Sequence, residues 1–422
     1  MRILVIHQYY LAPGQPGGSR FNEFARMWSD AGHDVTVIAG TVNHTTGEIP
    51  ARYRGRLITE EWDGPVRVLR CHVPSSYFGA SYLGRMWGFL GFTLSSSAAI
   101  VATHRPDVIV ATSPPLVTAI PGFVGSRFAF RRVPWVFEVR DLWPESAITT
   151  KVLSEKGALA RSLFALESFA YSSCDRINVL TPAFRDDILR RGLARNEKIV
   201  FVPNGADAEM FRPAPRDNRI REEFKWGDRF VVMYAGAHGR ANAVGQLVDA
   251  AERLRHRPDI LIATVGDGPE RPGVEADARR RGIENIMFCG AQPKQRMPEV
   301  VNACDVGAAV LQNNPTFRTV YPNKVFDYMA CERPVLLAID GVARKLVCED
   351  AEAGAYVEPE NPAVLAAAIE KLADDPAARL EMGRRGRKWV LQNCTRESLA
   401  AKYLGILAEI VEGKRGPVPA PC

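Results

Sequence analysis

Short runs rich in apolar and β-branched residues alternate along the chain with longer stretches in which apolar positions recur every three or four residues. Ile3–His7, Asp34–Ala39, Val66–Cys71, Asp107–Ala111, Val133–Val139 and Arg176–Leu180 read as strands, with helices such as Ser19–Ala31 and Ser154–Ser173 between them. Several of the strands are almost wholly apolar, as parallel strands covered on both faces must be. The pattern then restarts at Ile199–Val202, Phe230–Ala235, Ile260–Val265, Ile286–Phe288, Val306–Val310 and Val335–Ala338. Strand–helix alternation with right-handed crossovers predicts doubly wound α/β sheets, and so many strands are expected to split into two sheets. The expected domains are 1–203 and 204–394, joined within VPNGADAEMFRPAP, where prolines and a glycine interrupt the periodicity. Pro362–Asp374 and Pro376–Val411 are helical in pattern. Part of a terminal helix, 395–415, is expected to cross back to the first domain, and the tail GPVPAPC, 416–422, reads as disordered.

Composition narrows the class. Of 422 residues, 46% are apolar and 24% charged, enough to bury two cores. The start, MRILVIHQYY, has neither the basic region nor the cleavage site of a secretory leader and reads as a buried strand. Tyr82–Ala102 comes nearest to a membrane span, but Arg85, three glycines and a serine run dilute it, so a surface helix or one dipping into headgroups is expected. Eight cysteines without a C-x-x-C pair argue against a zinc ribbon or thioredoxin-type site and suit a reducing cytoplasm. The net charge of +6 resides wholly in residues 1–200, with 23 Lys and Arg against 17 Asp and Glu. That asymmetry points to an anionic partner. Arg127, Arg131 and Arg132 bracket Phe123, Phe128 and Phe130, a basic–aromatic stretch suited to lipid headgroups. No nucleic-acid-binding module accompanies the charge, so nucleic acid is discounted.

Chemistry is expected where predicted strands end. Gly17 and Gly18 precede a helix capped by Ser19, a combination in which close backbone approach and free N–H groups favour an anion. VFEVRDLWPESAI puts Glu138, Arg140, Asp141 and Glu145 at or beyond the end of a strand. MYAGAHGR, with Gly236 and Arg240, and ATVGDGP, with Gly266 and Asp267, are two further strand-to-glycine turns. In FRTVYPNKVFDY, Arg318 and Lys324 are candidate phosphate partners, and Asn323 and Asp327, one helical turn apart, are candidate donor-binding residues; the plainer alternative is a solvated helix start with Asn323 as its cap.

Taken in order, GGSRFNEFARMWSDAGHDVTVIAG, VPNGADAEMFRP, VGDGPE and NKVFDYMACERPVLLAIDG resemble the retaining glycosyltransferase family 4, a class of two Rossmann-like domains called GT-B. RDLWPES and FRTVYPNKVFDYMA are similar to a subgroup resembling bacterial N-acetylfucosaminyl transferases of surface-polysaccharide assembly. The resemblance covers nearly the whole chain. It implies a nucleotide-sugar donor, usually uridine diphosphate-linked, held by the second domain, and transfer to a lipid-linked acceptor such as a polyprenyl-diphosphate glycan. It also implies a cytoplasmic enzyme, peripheral at the inner face of the plasma membrane through its basic first domain. Arg240 and Lys324 would neutralise the diphosphate, Gly266 and Asp267 lie by the nucleoside, and Asp327 holds the ribose. Gly17 and Gly18 would close over the phosphates, and Arg140 and Asp141, facing the acceptor side with Glu138 and Glu145, would join Arg240 and Lys324 as the catalytic set.

Two positions depart from the family pattern. Its paired glutamates, eight residues apart, are Thr319 and Asp327 here, and a histidine common in the family is Arg140. No Asp-x-Asp pair lies in a plausible site, so neither an obligatory metal nor another cofactor is expected. An epimerase or dehydrogenase is disfavoured because the early glycine fingerprint is missing. A non-catalytic nucleotide-sugar-binding protein remains the alternative.

Overall fold

The computed structural model describes all residues except 13–14, 16–19, 43–47, 75–81, 128–131, 150–152 and 416–422. Gly17, Gly18, Phe128, Phe130, Arg131 and the tail therefore lie outside the described residues. The chain divides into two units, Met1–Pro203 with Glu397–Cys422, and Asn204–Arg396.

The first unit is built on β1 (Arg2–Ile6), β2 (Asp34–Gly40), β3 (Ile58–Asp63), β4 (Val66–Cys71), β5 (Val108–Ser113), β6 (Trp135–Val139), β7 (Arg176–Val179) and β8 (Ile199–Phe201). They form one sheet in the order β3-β4-β2-β1-β5-β6-β7-β8, with only β3 running antiparallel to its neighbour. β1, β5 and β6 are apolar enough to be buried on both faces, and Ile3–Ile6, Val108–Ala111 and Trp135–Phe137 form the centre of the core. The hydrophobic pattern missed β3 because ITEEWD carries three acids. It survives as an edge strand, where Glu60 and Glu61 pair with Arg67 and Arg70 of β4. β8 belongs to this sheet, beside β7 with Ile177 opposite Ile199, and does not open the second one.

The second unit contains β9 (Phe230–Ala235), β10 (Ile260–Val265), β11 (Ile286–Phe288), β12 (Val306–Val310), β13 (Val335–Ala338) and β14 (Gly354–Tyr356), all parallel, in the order β11-β10-β9-β12-β13-β14. β14 is three residues long, too short for a periodic signal. The expected continuous helix over 376–411 is two helices, Pro376–Asn393 and Arg396–Arg415. They are separated where Thr395 bridges to Ala206, flanked by hydrogen bonds from Ala206 N–H to the Cys394 carbonyl and from Arg396 N–H to the Ala206 carbonyl.

In each sheet the strand order reverses beside the first strand of a doubly wound set. β1 has β2 on one side and β5 on the other, and β9 has β10 and β12. Open parallel sheets bind ligands outside the carboxyl ends of strands at such points.

Candidate functional site

In the second unit, the turns after β9 and β10 pack backbone against backbone. Gly236 N–H donates to the Val265 carbonyl, Gly266 N–H to Gly290 and His238 N–H to Asp267, each at 2.9 Å. Gly236, Gly266 and Gly268 have φ of 149°, 141° and 158°. A Cβ on Gly266 would lie 1.9 Å from the Gly236 carbonyl oxygen, and one on Gly268 2.6 Å from that of His238. Only glycine meets both requirements, the positive φ and the absent side chain.

The helix Asn323–Ala330 ends its first turn against this platform. Tyr328 is fully buried, and its hydroxyl accepts the Ala235 N–H at 2.8 Å. Lys324 lies four residues earlier, on the same helical face, so the contact that anchors Tyr328 carries Lys324 over the end of β9. Its Nζ sits 3.6 Å from the centroid of the Tyr234 ring, and a Cβ on Gly236 would come within 2.9 Å of it. Burial pushes the Lys324 pKa down to about 7, and no carboxylate among the described residues pairs with the amine. Such an ammonium is poised for an anionic ligand.

The remaining candidates of this unit take several positions. Arg240, in the turn Arg240–Asn242, is exposed and makes no ion pair among the described residues. Asp267 accepts the Gly268 N–H at 2.8 Å and lies 3.7 Å from Arg271, so it serves its own turn with part of its carboxylate. Arg318 lies 3.8 Å from Asp340. The helix begins at Asn323 with Pro322 in the capping position, and no side chain caps it. Asn323 is therefore an exposed first residue of the helix, not its cap. Asp327 is half-buried one turn further along. Thr319, at the position of the absent glutamate, donates its hydroxyl to the Thr316 carbonyl at 2.7 Å.

Sequence reasoning passed over His238. Its ring is wholly buried, set edge-on to Tyr234 with centroids 5.7 Å apart. Burial, and after it the Arg271 guanidinium, hold its pKa below the usual imidazole value, so it stays neutral beneath the glycine turns. Its place inside MYAGAHGR, just after a strand, was the available signal.

In the first unit, the carboxyl ends of β1, β5 and β6 bring together His7, Thr112 and Arg140. Arg140 Nη1 lies 3.3 Å from His7 Nε2, and Thr112 Oγ1 lies 3.3 Å from His7 Nδ1. A guanidinium can only donate, so Nε2 is the acceptor and the imidazole proton belongs on Nδ1. Asp141 is held among Ser146 and the Leu142 backbone, with burial raising its pKa. Glu145 opens the helix Glu145–Thr149 and lies 4.0 Å from Arg191.

Glu138 takes a different place from the open, acceptor-facing one expected of it. It has no exposed surface, lies 3.4 Å from Arg20 Nε and accepts from Asn178 Nδ2 at 2.9 Å. Arg20 in turn donates to the carbonyls of Val202, at 2.9 Å, and Pro203. The cause is alternation along β6: Phe137 and Val139 share one face of the sheet and Glu138 the other. There it meets helix Arg20–Asp30.

Residues 17–205 match the glycosyl transferase 4-like domain and residues 229–375 the glycosyl transferases group 1 domain. WcaI of Escherichia coli (strain K12), a glycosyl transferase assigned to colanic acid biosynthesis, is 25% identical over 384 residues, spanning 88% of this chain and 92% of that protein. WbjE of Pseudomonas aeruginosa, assigned as a glycosyltransferase, is 24% identical over 64% of this chain and 67% of its own length. Among solved structures, Anabaena Alr3699/HepE in complex with UDP superposes with a TM-score of 0.72 at 18% identity, covering 97% of this chain and 100% of that one. Sucrose-phosphate synthase from Thermosynechococcus elongatus gives 0.75 at 18% identity, with coverages of 97% and 99%. The chain is a glycosyltransferase of the GT-B fold, a glycosyl transferase 4-like domain followed by a glycosyl transferases group 1 domain.

Proposed function

We propose that this glycosyltransferase moves an N-acetylated amino sugar, with retention, from a uridine diphosphate donor to a polyprenyl-diphosphate-linked acceptor in bacterial surface-polysaccharide synthesis. The observation that carries the donor reading is Lys324, an amine without a carboxylate partner among the described residues, set above the glycine platform at a strand-order reversal. UDP in the Anabaena relative and the colanic acid assignment of WcaI support the same reading. The sugar and the stereochemistry rest on the family resemblance. The enzyme would work in the cytoplasm at the membrane surface, where such an acceptor is held.

Front-face transfer fits these residues. The bond from the anomeric carbon to the diphosphate oxygen breaks as the acceptor oxygen bonds to the same face, and the acceptor proton passes to the departing phosphate. Lys324 and Arg240 neutralise the developing charge. Arg140 and Asp141 flank the acceptor, and neither a metal ion nor a cofactor is required. One observation favours a second reading, a non-catalytic nucleotide-sugar-binding protein: Thr319 spends its hydroxyl on Thr316 where the family has a carboxylate.

Thermal stabilisation by a panel of uridine, guanosine, adenosine and thymidine diphosphate sugars, then nucleotide release with a polyprenyl-diphosphate-sugar acceptor, tests the proposal. Stabilisation by a uridine donor with acceptor-dependent release is expected. Binding without release across the acceptors favours the second reading, and no binding to any nucleotide removes both.

A further inference from the structure

On its buried side, the Arg140 guanidinium of the first unit meets an imidazole. The β1–β5 pairs run to Ile6 opposite Ala111, so His7, one residue past β1, stands level with Thr112, and Thr112 stands level with Glu138 of β6. Strand alternation, continued past the end of β6, puts His7, Thr112 and Arg140 on one face of the sheet. His7 is 2% exposed and Thr112 fully buried, while Arg140 keeps part of its surface open. All three lie where the strand order reverses.

Each contact of the imidazole removes one freedom. Thr112 Oγ1, at 3.3 Å, takes the Nδ1 proton, which leaves the Nε2 lone pair to Arg140 Nη1, also at 3.3 Å. Phe21, from the helix Arg20–Asp30, packs its ring 5.5 Å from the imidazole at a tilt of 52°. Thr112 is itself anchored, its carbonyl accepting the Thr118 hydroxyl at 2.9 Å. The Arg140 backbone is fixed as well, its N–H donating to the Ser113 carbonyl at 3.1 Å. A guanidinium carries its donors in a rigid planar fork, so fixing Nη1 and the backbone sets the direction of the whole group.

The chemistry of this anchor matters as much as its place. A carboxylate in the position of His7 would grip the guanidinium more strongly but offset its charge. A neutral imidazole accepts one N–H and subtracts nothing from that charge, so it orients Arg140 without weakening its pull on an anionic group. The plainer role for His7 is that of a satisfied core side chain. That role needs the Thr112 contact and the Phe21 packing, and it makes no use of the contact to Arg140.

We propose that His7 is a positioning residue for transfer, holding the Arg140 guanidinium in the direction from which it meets the acceptor through the chain Thr112–His7–Arg140. The inference rests on the acceptor-side reading of Arg140 and adds to it a residue that does not itself touch substrate.

Two measurements test it. With the seven histidines labelled with nitrogen-15, the His7 ring, identified by the signals lost in His7→Gln, should be the neutral Nδ1–H tautomer. Its Nε2 resonance should shift in Arg140→Ala. An imidazolium, a proton on Nε2, or an Nε2 resonance indifferent to Arg140 would overturn the proposal. The second measurement is steady-state transfer from a uridine diphosphate sugar to a polyprenyl-diphosphate-sugar acceptor. His7→Asn keeps an amide beside Thr112 that falls short of Arg140, and it should lower kcat/KM for the acceptor by ~10–10²-fold while KM for the donor holds. His7→Gln, whose Oε1 can stand in for Nε2, should recover most of that loss. Equal rates in the two variants, or losses that follow melting temperature in both, would mark His7 as a core side chain only. In an Arg140→Ala background His7→Asn should cost nothing further, and additive losses would also overturn the proposal. The two readings fail separately. Arg140→Ala without effect on the acceptor removes the acceptor-side reading, whereas slowed transfer in Arg140→Ala beside parental rates in His7→Asn removes the positioning role alone.

Discussion

The ammonium of Lys324 lies 3.6 Å above the ring of Tyr234, which faces it with π electrons and no full negative charge. Burial therefore goes uncompensated, and the amine titrates near 7 where a free lysine titrates at 10.5. Between those values the unfolded chain holds a proton that the folded chain has lost. The stability of the unliganded protein should rise with pH across this window and be least favoured below it. A bound diphosphate reverses the preference and recharges the amine. Calorimetry of uridine diphosphate binding in buffers of different ionisation enthalpy should find proton uptake at pH 8 and almost none at pH 6. Affinity should fall as pH climbs above 7, and Lys324→Met should abolish the uptake.

Removing either cation should slow transfer without unfolding the protein. Arg240→Ala and Lys324→Ala are each expected to lower kcat/KM by ~10²–10³, the usual loss when one preorganised electrostatic donor is deleted. Arg240 is exposed, so its variant should keep the parent melting temperature. Steady-state rates unchanged in both variants would remove the charge-neutralisation step.

Two glycine substitutions separate backbone need from simple flexibility. Gly266→Ala puts a Cβ 1.9 Å from a carbonyl oxygen at a φ of 141°. It should cost at least ~2 kcal/mol in chemical denaturation. Gly273→Ala, in the helix Arg271–Arg280 with nothing within 4 Å, should instead stabilise by about 0.5–1 kcal/mol.

Glu138→Gln should act on stability. It leaves the Arg20 guanidinium buried without its counter-charge, at an expected cost of about 3–5 kcal/mol. Glu145→Gln, at a carboxylate that is 47% exposed, should leave the denaturation midpoint nearly unchanged and show its effect in the KM for the acceptor. A Glu138→Gln protein as stable as its parent would show that the buried pair contributes little.

Transfer should continue in excess chelator. Assays with and without magnesium or manganese check this, and turnover lost on chelation and restored by either ion would contradict metal-free transfer.

Much of the fold was legible because parallel strands buried on both faces leave apolar runs such as ILIATV and VIVATS that depend little on context. What failed to register was short or charged. β3 hides its edge role among three acids, β14 has three residues, and the break at Cys394–Thr395 depends on pairing with Ala206, almost two hundred residues away. At the site, glycine turns and a lysine in a helix's first turn were visible as residue types in sequence. Their mutual placement was not, because it depends on Tyr328, in the helix Asn323–Ala330, reaching Ala235 at the end of β9, 93 residues earlier in the chain. Glu138 marks the opposite limit. Its place near the end of a predicted strand suggested a residue facing the acceptor, but strand alternation points it into the core.

The bridge between Ala206 and Thr395 gives the second unit an unusual kind of independence. Its first and last residues leave it through neighbouring backbones, so Asn204–Arg396 is a cassette spliced into the first unit at one doorway. Recombination between relatives could exchange the whole cassette at two adjacent joints without rethreading either sheet. A lineage could thereby trade the unit bearing Lys324 and the glycine platform while the first unit stays unchanged.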